Sequence, residues 1–159
     1  MRKIIVHFIV FAMGAGTGIV AGKFLFKKYE NKECTKTDKF KEYYNLLNRW
    51  LELKHQGKTV SLYFDKEKIT SIAIYGMGEL GCRLLEELNG SNINVKYGID
   101  QNPGYGFGGL EIKSSDDEFE KVDAIIVTPV FAFDEIEKKL REKFSGPVIS
   151  IEDVIYDTV

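Results

Sequence analysis

The sequence predicts an α/β fold: a doubly wound, all-parallel sheet of five strands in the order 3-2-1-4-5, preceded by an amphipathic helix and an N-terminal transmembrane helix. Three observations carry that reading. Residues 69–100 run as an apolar strand, a glycine turn, a helix and a second strand that ends in an acid. Val122 to Thr128 is an unbroken apolar run of the kind found in strands buried on both faces. Strands then alternate with helical patterns toward the C-terminus, an order that demands right-handed crossovers and so parallel strands. The 159 residues, 44% of them apolar, give room for one ordinary core. A net charge of −2 carries no bias toward nucleic acid as a partner.

The N-terminal segment comes first. Ile4 to Gly22 contains no formally charged residue and is close to the roughly 20 residues that span a bilayer. It leads directly into Lys23, Lys27 and Lys28 instead of a small-residue cleavage site, which favours an uncleaved anchor over a signal peptide. Six lysines (Lys23, Lys27, Lys28, Lys32, Lys36 and Lys39) follow the span, against Arg2 and Lys3 before it. The positive-inside rule then puts a single-pass protein in the cell membrane with its C-terminal domain in the cytoplasm. Gly14, Gly18 and Gly22 fall on one face of that helix, where close packing with a second span would form a homodimer; glycine is also common in spans for other reasons. The expected organisation is an anchor and basic flank over residues 1–28, a linker over 29–38, and a helix plus globular domain over 39–159.

From Lys39 the residues Phe40, Tyr43, Tyr44, Leu47, Trp50 and Leu51 recur at helical spacing, and Gly57 ends the pattern. Val60 to Phe64 reads as a helical turn leading into the first strand. The second strand ends at Asp100, after which residues 101–109 form a glycine-rich loop. Tyr105 and Phe107 within it suit either a ring-stacking flap or a plain crossover into a short strand at 110–112. Ser114 to Glu120 is expected to be a short acidic helix, Val122 to Thr128 a strand, Phe133 to Phe144 a helix, Pro147 to Ile151 a last strand, and Glu152 to Tyr156 a terminal turn.

Gly76, Gly78 and Gly81 stand at the G-x-G-x-x-G spacing of a dinucleotide-binding, Rossmann-like turn. In such a turn the first glycine permits the tight bend, the second admits a pyrophosphate to the backbone, and the third allows close helix–strand packing. The candidate cofactor-binding set is Gly76, Met77, Gly78, Glu79, Leu80 and Gly81, with Asp100 and Gln101 at the end of the second strand and Thr128 and Pro129 after the fourth. Asp100 is placed to read a ribose hydroxyl, and no basic residue follows it for a 2′-phosphate, so the expected ligand is NAD or a nucleotide sugar rather than NADP. Glu79 puts a carboxylate in the loop, suited to a helix N-terminus, and Arg83 lies one turn on to offset it. Cys82 is read as small packing or, less simply, as a nucleophile. Two histidines, His7 and His55, leave no metal cluster.

The runs Ile72 to Gly81, Tyr97 to Asn102, Asp123 to Pro129 and Val148 to Ile155 resemble the small Rossmann-like domains of bacterial surface-polysaccharide enzymes. The resemblance is to the C-terminal domain of sugar C-methyltransferases and the N-terminal domain of sugar acetyltransferases. It implies nucleotide or nucleotide-sugar binding, with catalysis supplied by another domain in those relatives. No Tyr-x-x-x-Lys pair follows the glycine turn and no G-x-S-x-G elbow occurs. No catalytic residue is assigned, and whether the chain is an enzyme stays open. The expectation is a membrane-anchored protein accessory to surface-polysaccharide biosynthesis; the alternative is a ligand-free interaction module that tethers a partner enzyme to the membrane.

Overall fold

The computed structural model describes residues 36–101 and 108–158. The expected span over residues 4–22, its glycine face, and Tyr105 and Phe107 lie outside the described residues. Among the described residues no helix is long and apolar enough to cross a membrane. The chain divides into two compact units, residues 1–44 and 45–159. The described part of the first, residues 36–44, is helical.

The first described helix, α1, covers residues 36–55, beginning before the expected start at Lys39. It ends as anticipated at Gly57, whose φ of +71° turns the chain while the Lys58 amide bonds back to the Leu53 carbonyl. Then follow α2 (Ser61–Glu67), β1 (Ser71–Tyr75), α3 (Glu79–Leu88), β2 (Asn94–Asp100), β3 (Ile112–Ser114), β4 (Ala124–Val127), a 3₁₀ turn (Val130–Ala132), α4 (Phe133–Leu140), β5 (Val148–Ser150) and α5 (Ile151–Tyr156). All four strand pairings are parallel and the order is β3-β2-β1-β4-β5, as predicted.

The central strands are apolar because both faces are covered. On one side of β1, Ile74 meets α3, whose Leu80, Leu84 and Leu88 recur every four residues and are buried. On the other side Ala73 and Tyr75 join Tyr97, Ile99, Ile125 and Val127 beneath Ile136 and Leu140 of α4. Helices on both faces make the sheet doubly wound.

Two expectations need correction. Ser114 to Glu120 forms a turn, not a helix. Asp117 Oδ2 accepts the Ser114 amide at 2.7 Å and Ser114 Oγ accepts that of Asp116 at 3.3 Å, so short side chains satisfy the backbone in place of helical bonds. Lys143 Nζ, donating to the carbonyls of Ser115 and Asp116 at 3.1 and 2.9 Å, secures the turn, and Phe119 packs against the core. The terminal turn is instead a helix, α5, because Ser150 Oγ caps it through the Glu152 amide at 3.2 Å and Val154 and Ile155 are fully buried.

Within the second unit α1 is fastened by one carboxylate. Glu87 of α3, with 5% of its side chain exposed, accepts the Trp50 indole N–H and the Val60 amide and pairs with Lys54 Nζ at 3.0 Å. Leu46, Trp50 and Leu53 are buried beside it. Replacing Glu87 by Ala strands two donors, and we expect a loss of about 2–4 kcal/mol in urea denaturation. Glu87→Gln, which keeps an acceptor for one of the two, is expected to lose less.

At the amino ends of β1 and β4, Asp123 Oδ2 accepts the Thr70 amide, the Thr70 hydroxyl and the Ser71 amide at 3.0, 2.9 and 2.8 Å. These bonds, led by that of the Thr70 amide, hold the carboxyl down to about 2, against an ordinary 3.8. The folded chain thus gives up this proton more readily than the unfolded chain. The contribution of Asp123 is complete above about pH 5 and is lost as the pH falls through 3.8 toward 2. Asp123→Asn is expected to cost about 1 kcal/mol at pH 7, held down by solvent access, and to flatten the acid limb of a stability–pH curve.

Candidate functional site

The structure brings Gly76 to Gly81, Asp100, Gln101, Thr128 and Pro129 to the carboxyl ends of β1, β2 and β4. This is the position at which open α/β sheets take their ligands, because the strand order reverses there and leaves a crevice. Residues more than 50 positions apart in the sequence meet only through that topology.

Each glycine of the turn meets a different constraint. Gly76 has φ +88°, and a Cβ there would lie 2.7 Å from Pro129 Cδ and 2.8 Å from Thr128 Oγ1. Gly81 lies so close to the Gly76 carbonyl oxygen that a Cβ would overlap it, with Gly76 C at 3.2 Å and Ile74 Cγ2 at 3.4 Å. Gly78, the N-cap of α3, has an ordinary φ of −75°, and a Cβ there would meet nothing within 4 Å. The first and third glycines are therefore required by the protein's own packing. The second is not; a side chain there would enter open space, the side from which a ligand can come against the backbone.

The turn is pinned from both sides. Thr128 Oγ1 donates to the Gly76 carbonyl at 2.6 Å, and the Gly76 amide donates to the Ile99 carbonyl at 2.8 Å. Asp100 Oδ2 accepts the Met77 amide at 2.9 Å. The Met77 side chain lies over Gly98, where a Cβ would come within 2.8 Å of Met77 Cγ and 2.7 Å of Ile112 Cδ1. Sequence reasoning missed Gly98, although a glycine inside an otherwise apolar strand is the signal for such a close approach.

Beyond the turn, α3 has no side-chain cap, and its first turn carries the exposed Glu79. Its amino end combines a positive dipole terminus with backbone N–H groups, a setting suited to an anion. Leu80, also in the candidate set, is buried and serves packing. Arg83 does not turn toward the loop; its guanidinium pairs with Glu86 and lines a cavity of about 380 Å³ between α1 and α3, together with Leu47, Trp50, Leu51, Lys54 and Glu87. A second cavity of about 380 Å³ runs between α3 and the Gly108 to Leu110 segment. The turn glycines line neither.

The nucleophile reading of Cys82 loses ground. Its Sγ lies 3.5 Å from the Met77 carbonyl, and burial, followed by the charge of Glu86, pushes the thiol up despite the adjacent helix start. Tyr97 is likewise pushed up to about 12, chiefly by burial, and its hydroxyl donates to the Glu120 carbonyl at 2.7 Å. Among the described residues no group of three or more His, Cys, Asp or Glu could hold a metal ion. The arrangement places the backbone of the turn and the amino end of α3 together at the carboxyl ends of the strands.

In comparisons with known proteins, no family model, no curated protein and no solved structure matches the chain.

The three glycines are expected to respond differently to alanine. Gly78→Ala should leave stability within about 0.5 kcal/mol of the wild type, or raise it slightly by restricting the unfolded chain. Gly76→Ala and Gly81→Ala should each cost about 2 kcal/mol or more, from strain at positive φ and from overpacking respectively. Equilibrium urea unfolding of the three variants reads the contrast directly.

Proposed function

We propose that the globular unit binds NAD or a nucleotide sugar, with the diphosphate against the Gly76–Gly81 turn and the start of α3. The observation that carries this reading is Gly78: the glycine that the fold does not need is the one a diphosphate would approach. The pinned turn supports it, since backbone donors held in place beforehand lose little entropy on binding. The absence of a cation at Asp100 and Gln101 favours NAD over NADP. By its resemblance to domains of surface-polysaccharide enzymes, the protein acts as an accessory in that biosynthesis, anchored by residues 4–22 with the globular unit in the cytoplasm and paired as a homodimer through Gly14, Gly18 and Gly22.

A second reading, an interaction module that tethers a partner enzyme, draws on a different observation. Leu47 and Leu51 are 47% and 52% exposed at the mouth of the α1–α3 cavity, an apolar surface that water does not favour. The two readings separate in one thermal-shift series on the full-length chain with NAD, NADP, nucleotide sugars and S-adenosylmethionine. A ligand at 100 times its Kd adds about 2.7 kcal/mol, readily seen as a rise in Tm. We expect NAD or a nucleotide sugar to raise the Tm, and Gly78→Leu to remove that rise while the variant stays folded. No rise with any nucleotide would reject the binding reading and leave the tether.

A further inference from the structure

The acid that closes β2 is bonded to the turn itself. Asp100 Oδ2 accepts the Met77 amide at 2.9 Å, and two residues earlier on the same strand Gly98 provides the notch into which the Met77 side chain fits. One residue of the turn is thus held at its amide by position 100 and at its side chain by position 98. That bond fixes the direction of the Gly76–Met77 peptide, from which the chain continues to Gly78.

We infer that Asp100 is a positioning residue of the nucleotide site, fixing the diphosphate-binding turn through the Met77 amide instead of selecting the ligand by its ribose. The inference rests on the nucleotide reading of the turn. It has an unusual consequence for charge. A carboxylate near a bound anion weakens binding by repulsion, so removing it should strengthen the binding of a diphosphate if charge were all that mattered. If Asp100 acts through the turn, removing the acceptor should weaken that binding despite the relief of repulsion.

Inorganic pyrophosphate, which has no ribose, isolates the effect. Its affinity is measured by calorimetry on the full-length wild type and on Asp100→Asn and Asp100→Ala, with ADP and 2′-deoxy-ADP as companions. Asn keeps an oxygen for the Met77 amide and loses the charge, so Asp100→Asn is expected to bind pyrophosphate at least as tightly as the wild type. Asp100→Ala is expected to bind pyrophosphate, ADP and 2′-deoxy-ADP about tenfold more weakly, all to the same degree. The wild type should hold ADP and 2′-deoxy-ADP alike.

Should Asp100→Ala fail to fold, Gly98→Ala tests the same hold from the other end. It crowds the Met77 side chain, leaves the carboxylate in place, and is expected to weaken all three ligands together. Pyrophosphate binding that survives or tightens in Asp100→Ala, with loss confined to ADP, would overturn the positioning role and keep the nucleotide site. A wild type that binds none of the three ligands would overturn both.

Discussion

The constraint on which the described fold depends is the approach of α3 to the end of β1, where Gly81 lies against the carbonyl of Gly76. No side chain fits between them. Because the helix can come so near, Leu80, Leu84 and Leu88 reach the face of the sheet and are buried there, and the start of α3 stands directly above the strand end. A larger residue at position 81 would lift the helix off the sheet and carry the turn with it. The core on that face and the geometry of the candidate site therefore share one cause.

Around this contact the turn is held by its two neighbouring strands. From the β4 side, Thr128 bonds the Gly76 carbonyl and Pro129 closes over the same residue. From the β2 side, Asp100 holds the Met77 amide and Gly98 receives the Met77 side chain. A sequence of glycines is thereby held by hydrogen bonds and packing from both neighbouring strands. Such a hold matters for binding, since a loop that must be ordered by its ligand spends part of the interaction energy on that ordering.

Helix α1 depends on a different device. Its Trp50 and Lys54 meet Glu87 of α3, and the same carboxylate receives the amide that opens α2. A buried carboxylate with one cation and two N–H donors is well satisfied, whereas any one of those partners alone would leave charge or donors stranded. Because Glu87 lies on the same helix as Gly81, the segment before the sheet and the turn after β1 are referred to one element. The α1–α3 cavity, with Leu47 and Leu51 at its edge, follows from that attachment.

The sequence by itself determined the class of fold, the strand order and the location of the turn. Apolar runs of strand length, helical periodicity and the spacing of Gly76, Gly78 and Gly81 are local signals, and the handedness of crossovers converts them into one topology. It also singled out Asp100, Thr128 and Pro129 as neighbours of the turn. Tertiary structure decided what those residues do. Asp100 could be placed by spacing, but its bond to the Met77 amide depends on where β2 ends beside β1, and the role of Gly98 depends on a side chain 21 positions away. Arg83 pairs with Glu86 three residues on, as the helical repeat allows, but the cavity it lines depends on where α1 meets α3. The acidic stretch after β3 had helical composition, yet Ser114 and Asp117 satisfy its backbone locally as a turn, and Lys143 and the packing of Phe119 secure it there. Period and spacing act within a segment; the partners of a carboxylate, an amide or an ammonium group are set by which segments meet.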